Sequence, residues 1–269
     1  MSALAVAGAF LRRDFRIAIS YKTSFALEFV SSIFLLALFF YLGQIVDDAE
    51  LSETEGLEGG YFGFVAIGLA LLRIVQVSMT SFSAKMREEQ TSGTFEALMA
   101  TPTAPSLVIL SSAVYDLLRA TIAGVVMIVA AVIIFGLSLD LSPLSLLQTF
   151  AALVGLLTLF ASLGVAVAAF TVVFKRTGAL VGLLLTVLAL LGGVYFPIEV
   201  FPATLEALAN ALPFTWGLDV LRSSLLGGEV EAWRIPALFG ASALLLPLAL
   251  IGFVAAVGRA RKTGTLTTY

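Results

Sequence analysis

The residue types that most often carry out covalent chemistry are scarce in this chain. Its 269 residues include no histidine and no cysteine, which removes the commonest general base, the commonest metal ligands and any disulfide or thiolate site. The lysines lie at the ends of apolar runs, and neither a G-x-S-x-G motif nor a G-x-x-x-x-G-K-[ST] phosphate loop is present. We therefore expect no catalytic residue, no metal site and no ATP bound by this chain itself.

Two basic residues, Arg73 and Arg119, lie within or near apolar stretches, and Asp116 precedes Arg119 in the same stretch. A charge in such a stretch is costly in a membrane and is usually paired or faces a polar cavity. Asp116 and Arg119 are three residues apart and meet on one helix face, and Arg73 is at a depth where it can join Asp116. Two roles fit, structural ion pairs near the inner interface or a part in gating or substrate passage.

One polar segment, residues 85–105, interrupts the apolar chain. Residues 91–93 supply turn or capping chemistry before a short helix. Phe95, Leu98 and Met99 follow at i, i+3 and i+4 and form an apolar stripe on that helix. The stripe fits either a groove on a soluble partner or the membrane surface.

The elements that position these residues are membrane helices. The chain is 60% hydrophobic and 12% charged, with a mean hydropathy of +1.06, whereas soluble domains are roughly a quarter charged. Apolar runs of about 20 residues are long enough to cross roughly 30 Å of hydrocarbon. We predict an all-α polytopic membrane protein with a single transmembrane domain over residues 1–269. The six predicted spans are at about 24–46, 61–83, 107–137, 144–174, 178–196 and 233–258.

The distribution of charged residues predicts the orientation of the helices in the membrane. Eleven of the 15 basic residues lie at one set of helix ends, whereas residues 47–58 at the other side are acidic without a basic residue. The positive-inside rule then places both termini and residues 85–105 in the cytoplasm, with the protein in the cell (inner) membrane. The net charge of −3 gives no general attraction to nucleic acid.

Residues 1–22 are predicted to form an amphipathic helix on the membrane surface. At 100° per residue, one side holds Leu4, Leu11, Phe15 and Ile19, and the other holds Arg12, Arg13 and Arg16. The alternative is a cytoplasmic extension of the first span.

Residues 197–228 are apolar but contain too many polar residues and prolines for a regular span. Two short helices fit better, at about 203–212 and 214–226, with Pro213 at their junction. This pair is expected to dip into the membrane from outside and return, or to lie in the outer interface as a plain connector.

At these segments the sequence resembles the permease subunits of ABC type-2 exporters, which have the type V exporter fold, and the resemblance covers essentially the whole chain. Residues 87–102 are similar to the family's E-R-x-x-G-T-x-E-x-L-x-x-T-P element, with Thr91-Ser92 in place of the usual basic residue. Residues 193–197, 212–215 and 221–228 are similar to the paired outer helices of that family.

The resemblance implies a role for several residues. The expected ATPase-coupling residues are Glu88, Glu89, Gly93, Thr94, Phe95, Glu96, Leu98, Met99 and Pro102. The expected outer gate residues are Tyr195, Phe196, Pro197, Pro213, Phe214 and Arg222. Phe25, Phe29 and Phe34 of the first span are candidates for the substrate path, or else face lipid or pack.

The resemblance also implies partners and a function. Two copies of a separate ABC ATPase, which binds ATP and magnesium, would drive a homodimer of this permease or a heterodimer with a similar one. The substrate is expected to be hydrophobic or amphipathic, such as a drug or a lipid. The alternatives are a polysaccharide or lipid-linked glycan exporter, and a non-transporting membrane anchor or sensor that recruits a cytoplasmic partner.

Overall fold

The part of the chain that the structure describes is mostly α-helical, with short non-helical connections such as residues 136–142. The structure is a computed structural model, and it describes residues 3–19, 22–45, 59–94, 98, 101, 103–174 and 178–263. The helices are α1 (Ala3–Ile19), α2 (Lys22–Gly43), α3 (Gly60–Thr91), α4 (Pro105–Ser112), α5 (Val114–Phe135), α6 (Pro143–Phe174), α7 (Gly178–Leu191), α8 (Ala203–Asn210), α9 (Pro213–Leu225) and α10 (Arg234–Thr263), with a short 3-10 helix at Ile198–Val200.

Some of the predicted features lie outside the described residues. They are the acidic stretch 47–58, the basic turn 175–177, the coupling residues Phe95, Glu96, Met99 and Pro102, and the side chain of Phe25.

Four helical stretches are long and apolar enough to cross a membrane in the described part of the chain. They are Gly60–Thr91, Pro105–Phe135, Pro143–Val172 and Arg234–Ala260. The apolar stretches Leu27–Gly43 and Gly178–Leu191 are shorter. The second of these ends early because the chain turns at Gly193, whose φ of 74° is readily adopted only by glycine. The prediction of a multi-pass helical membrane protein is confirmed, whereas its six spans stay a prediction.

Helices α3 and α6 pack together at the centre of the molecule. Helices α2 and α5 pack on α3, and α9 and α10 pack on α6. Glycines allow the close approaches: Gly164 of α6 lies against the Ser78 carbonyl and Phe82, and Gly217 of α9 lies against Leu156. In a membrane, where apolar side chains gain little by leaving lipid, such close packing of small residues is a main source of helix association.

The two ends of α3 carry different structures. Its N-terminal end contacts α9, and its C-terminal end reaches α1. Phe64 and Glu89 mark these contacts and are about 38 Å apart along the helix at 1.5 Å per residue. We call the two ends of the molecule the α9 end and the α1 end.

The α9 end holds the two short helices expected between the fifth and sixth spans. They cover Ala203–Asn210 and Pro213–Leu225, close to the predicted bounds. Pro213 occupies the first turn of α9, where its missing N–H would have no helical partner in any case.

Candidate functional site

The predicted coupling segment begins where α3 ends, in a turn that its sequence specifies. Gly93 has a φ of 72°, its N–H donates to the Gln90 carbonyl, and the Thr94 N–H donates to the Glu89 carbonyl. This is the Schellman arrangement, in which a left-handed glycine lets the last carbonyls of a helix find donors. The chain therefore leaves α3 in a fixed direction.

Glu88 and Glu89, the two acidic residues before this turn, face opposite ways. The Glu88 side chain is exposed and pairs with Lys85 at 3.3 Å. Glu89 is largely covered, accepts a hydrogen bond from Arg13 of α1 at 2.7 Å, and accepts another from the Thr94 hydroxyl. Glu89 therefore joins α1 to the turn at Gly93, whereas the Glu88 side chain lies on the exposed side of α3.

Arg13 belongs to a small ionic network between α1 and α3. It pairs with Asp14 at 2.9 Å as well as with Glu89, and Lys85 lies 3.6 Å from Asp14. Asp14 is only 3% exposed. Partial burial acts to lower the pKa of Arg13, but its hydrogen bonds to Glu89 and Asp14 outweigh that effect and raise the pKa above its usual value. The guanidinium thus stays charged and holds α1 against α3.

Leu98 faces the chain's own helices. It is half-buried and lines a cavity of about 20 Å³ with Phe10, Met86, Ile109 and Phe253, among others. At this position the predicted Phe95–Leu98–Met99 stripe is therefore covered from within. Leu98 joins the coupling segment to α1, α3, α4 and α10.

The charges inside the helices pair differently from the prediction. Arg73 of α3 and Arg119 of α5 both donate to the carboxylate of Glu28 in α2. Asp116, the predicted partner, interacts electrostatically with Lys85 and Asp14 as well as with Arg119. The correction follows from topology, because α2 packs on both α3 and α5 and brings one carboxylate between two arginines.

Arg222 is the most thoroughly bound of the predicted outer gate residues. It is 3% exposed and donates to the carbonyls of Phe64 (3.0 and 3.1 Å), Gly193 (2.8 Å) and Val194 (3.3 Å). Its guanidinium also lies 3.3 Å from the centre of the Phe64 ring. One side chain of α9 therefore binds α3 and the turn that follows α7.

The other outer gate residues lie around the same turn. Tyr195 stacks on Phe39 of α2 at 5.9 Å, and Phe196 meets Phe201 at 5.3 Å. Pro197 precedes the short 3-10 helix. Phe214 is fully buried beside Gly192 and Phe160. The structure thus brings the predicted gate residues together at the α9 end.

A polar cavity of about 200 Å³ lies beside Arg222 at this end. Arg234 pairs there with Asp219 and with Glu231, and the Trp233 indole N–H donates to Glu231 at 2.6 Å. These contacts fix the start of α10 to α9.

A larger groove, of about 670 Å³, runs between α3 and α7. Its α3 wall is mostly polar and its α7 wall is made of glycine and aliphatic residues. The wall residues are Gln76, Thr80, Ser83, Ala84, Arg87, Glu88 and Thr91 of α3 and Gly178, Val181, Gly182 and Leu185 of α7. We call this the α3–α7 groove.

The predicted substrate-path aromatics do not line this groove. Phe34 is 72% exposed on α2 and Phe29 is 38% exposed. The groove itself was not predicted, although its signal was present: Gln76, Thr80, Ser83 and Arg87 repeat at helical spacing in an otherwise apolar helix.

Comparison with known protein families identifies the family of this chain. The family model described as "ABC-2 type transporter" matches residues 5–226. The chain belongs to this family. No curated protein sequence matches it significantly. The permease identified by resemblance is therefore confirmed at the level of the family, and its partner is an ABC ATPase subunit.

Because the chain belongs to this family, the contacts at the α1 end can be related to its ATPase partner. An ABC permease receives its energy from another protein, and the turn at Gly93 lies at the end of the long helix α3. The ionic network of Arg13 and Glu89 and the packing of Leu98 connect that turn to α1, α4 and α10. A displacement of the segment therefore reaches several helices of the permease together.

Proposed function

We propose that this permease is part of an exporter that takes a hydrophobic or amphipathic substrate, a drug or a lipid, from the cytoplasmic side and releases it outside. The observation that supports this most directly is the α3–α7 groove, whose volume of about 670 Å³ is within the usual range for small-molecule sites. A wall of hydroxyl, amide and charged groups opposite an aliphatic wall suits a molecule with a polar and an apolar part.

The same helix supports the coupling. Arg87 and Glu88 line the groove, and the Gly93 turn follows one helical turn later. We expect residues 93–99 to seat in a groove on the ATPase, so that closure of the ATPase dimer on ATP and magnesium moves a wall of the substrate groove directly. Two ATPase copies and two permeases, as a homodimer or with a similar permease, would form the working unit.

The proposed orientation places the α1 end in the cytoplasm and the protein in the cell (inner) membrane, with six spans and both termini inside. Its support is the basic bias of the chain ends and of residues 85–87, against the acidic stretch 47–58. The α8–α9 pair would then form the outer gate, re-entrant from outside. A single cysteine in residues 47–58 should be labelled by an impermeant reagent added outside; labelling from the cytoplasmic side alone would refute this orientation.

The groove can be tested by filling it. At Gly182 a Cβ meets no atom within 4 Å, so Gly182→Trp should fold while its indole occupies the groove. Gly240→Trp on α10 is the matched control, because Gly240 has the same open space and does not line the groove.

The assay is ATP hydrolysis by the reconstituted permease–ATPase complex with panels of lipids, drugs and glycans. We expect drugs or lipids to stimulate hydrolysis, and Gly182→Trp alone to abolish the stimulation. Equal stimulation of both variants would refute the groove as the substrate site. Stimulation by glycans alone would favour the glycan exporter, and no stimulation or transport with any compound would favour the anchor or sensor.

The coupling segment can be tested at Phe95. Burial of an aromatic side chain contributes roughly 1.5–3 kcal/mol, and a buried unpaired carboxylate adds a further cost. Phe95→Asp should therefore uncouple hydrolysis from transport while the permease stays folded, and Phe95→Leu should retain coupling. Transport at the wild-type rate by Phe95→Asp with the ATPase bound would show that this residue does not couple.

A further inference from the structure

The outward face of α1 carries two arginines that bind nothing in the described part of the chain. Arg12 and Arg16 are exposed and four residues apart, so they lie on one helix face. No described carboxylate pairs with either. Arg13, between them in sequence, instead pairs with Asp14 and Glu89. The arginines of α1 therefore have two separate roles.

One large apolar side chain lies beside this exposed pair. Phe15 is 55% exposed and is about 60° from Arg12 around the helix at 100° per residue, so it borders the arginines, whereas the sequence predicted it on a side separate from them. Gly8 lies one helical turn before Arg12 on the same face of α1, and a Cβ placed there would meet no atom within 4 Å. Exposed cations next to exposed apolar side chains are typical of helices that lie in a membrane interface. A soluble acidic protein would complement the arginines but would leave Phe15 without an apolar environment.

The chain also holds this face close to the membrane. Only residues 20 and 21 separate the end of α1 from the start of α2, whose described apolar part begins at Leu27. Arg16 is six residues before Lys22, so it can be no farther than roughly 20 Å from the start of that helix even with the chain extended. Guanidinium groups bind phosphate oxygens in a two-pronged geometry, and phosphate is the group that lipid headgroups present at this level.

We propose that the surface formed by Arg12, Phe15 and Arg16 binds the headgroups of anionic phospholipids. The arginines contact the phosphates and Phe15 enters the acyl boundary beside them. Arg13, about 60° from Arg16 around the helix at 100° per residue, binds Glu89 at the end of α3, so the helix that contacts the lipid also contacts the end of α3. This inference goes beyond the proposed function, since it concerns lipid binding and holds whatever the transported substrate is.

The absence of cysteine in the chain allows a direct test. Gly8→Cys places a single thiol on the proposed surface, where a Cβ meets no atom within 4 Å. A fluorophore on this thiol is followed in nanodiscs of phosphatidylcholine doped with either spin-labelled phosphatidylglycerol or the same fraction of spin-labelled phosphatidylcholine. An arginine near an anionic surface gains about 1 kcal/mol, or about fivefold in local lipid occupancy.

We expect the anionic quencher to be several-fold more effective than the zwitterionic one, and high salt to reduce the difference. The double variant Arg12→Gln/Arg16→Gln should make the two quenchers equal. Lys262→Gln, which removes one exposed positive charge from the end of α10, should leave the preference intact.

Equal quenching by the two lipids in the labelled Gly8→Cys protein that retains Arg12 and Arg16 would overturn the proposal. Weak quenching by either lipid, together with protection of the thiol when the ATPase is added, would overturn it as well and would assign the surface to the ATPase. Loss of the preference in Lys262→Gln to the same degree would show general attraction by net charge in place of a site on α1.

Discussion

Replacing Arg222 should open the α9 end of the permease without unfolding it. The side chain donates to three carbonyls on two elements and stacks on Phe64. In Arg222→Met, the Gly193 and Val194 carbonyls lose a buried donor, at about 1–3 kcal/mol each, and a desolvated cation–π contact of roughly 2 kcal/mol disappears. Relief from burying a charge offsets part of this cost.

We therefore expect a net loss of about 3 kcal/mol in the contact of α9 with α3, which corresponds to roughly a hundredfold more of the open form. Thr215 is suited to report it. Its side chain is 1% exposed, and its hydroxyl has no hydrogen-bond partner among the described residues, so Thr215→Cys removes no hydrogen bond. A membrane-impermeant maleimide should label this cysteine about a hundredfold faster when Arg222 is methionine.

Two further variants control the measurement. Arg222→Lys keeps the charge but cannot reach three carbonyls with one ammonium group, so it should give an intermediate labelling rate. Arg234→Met removes an arginine at the same end that binds carboxylates nearer the surface, and it should change labelling by much less. An unchanged labelling rate in a monodisperse Arg222→Met protein would refute the role given to Arg222.

Three other predictions concern stability. Glu28→Gln should cost about 1–2 kcal/mol, measured by thermal unfolding in detergent, because two partly exposed arginines lose a shared carboxylate; no shift in melting would contradict the ionic bridge. Gly68→Ala should destabilise by about 1–3 kcal/mol, since its Cβ would lie 2.9 Å from the Val194 carbonyl oxygen, whereas Gly240→Ala should be neutral or stabilising. Hydrogen bonds from Arg234 and Trp233 lower the pKa of Glu231 from 4.5, so its stabilising effect is present above pH 4.5 and is lost as the pH falls through the lowered pKa. The fluorescence of Trp233 should change over the same pH range, and Glu231→Gln should abolish this pH dependence.

Local signals predicted much of the fold and the position of the candidate sites. Hydropathy located the long helices, and Pro213 located the junction of the two short ones, because proline restricts the backbone wherever it occurs. The exception is α7, which ends at Leu191. There the apolar composition continues beyond the end of the helix, so the length of the apolar run predicted a helix that is too long.

Partners distant in sequence were not predictable in the same way. The acid that binds Arg119 is Glu28, 91 residues away, and Arg222 reaches a carbonyl 158 residues away. Helix spacing favoured Asp116, which is near in sequence but which the fold places beside Lys85. A lone carboxylate in the first apolar stretch was the available signal for Glu28, since it needs a partner inside the bundle.

Helix α3 connects the two ends of the permease, and its length decides how the proposed outer gate at the α9 end must respond. Phe64 and Glu89 are about 38 Å apart along it, so a tilt of about 10° around the midpoint moves each end by roughly 3 Å. The Arg222 hydrogen bonds are 2.8–3.3 Å long and cannot stretch by that amount. Either α9 follows α3 or these bonds break. We expect ATP to change the labelling of Thr215→Cys in the complete transporter if α3 tilts, and Arg222→Met to give fast labelling with or without ATP. An ATP response of equal size in both proteins would show that the α9 end is moved by some other helix.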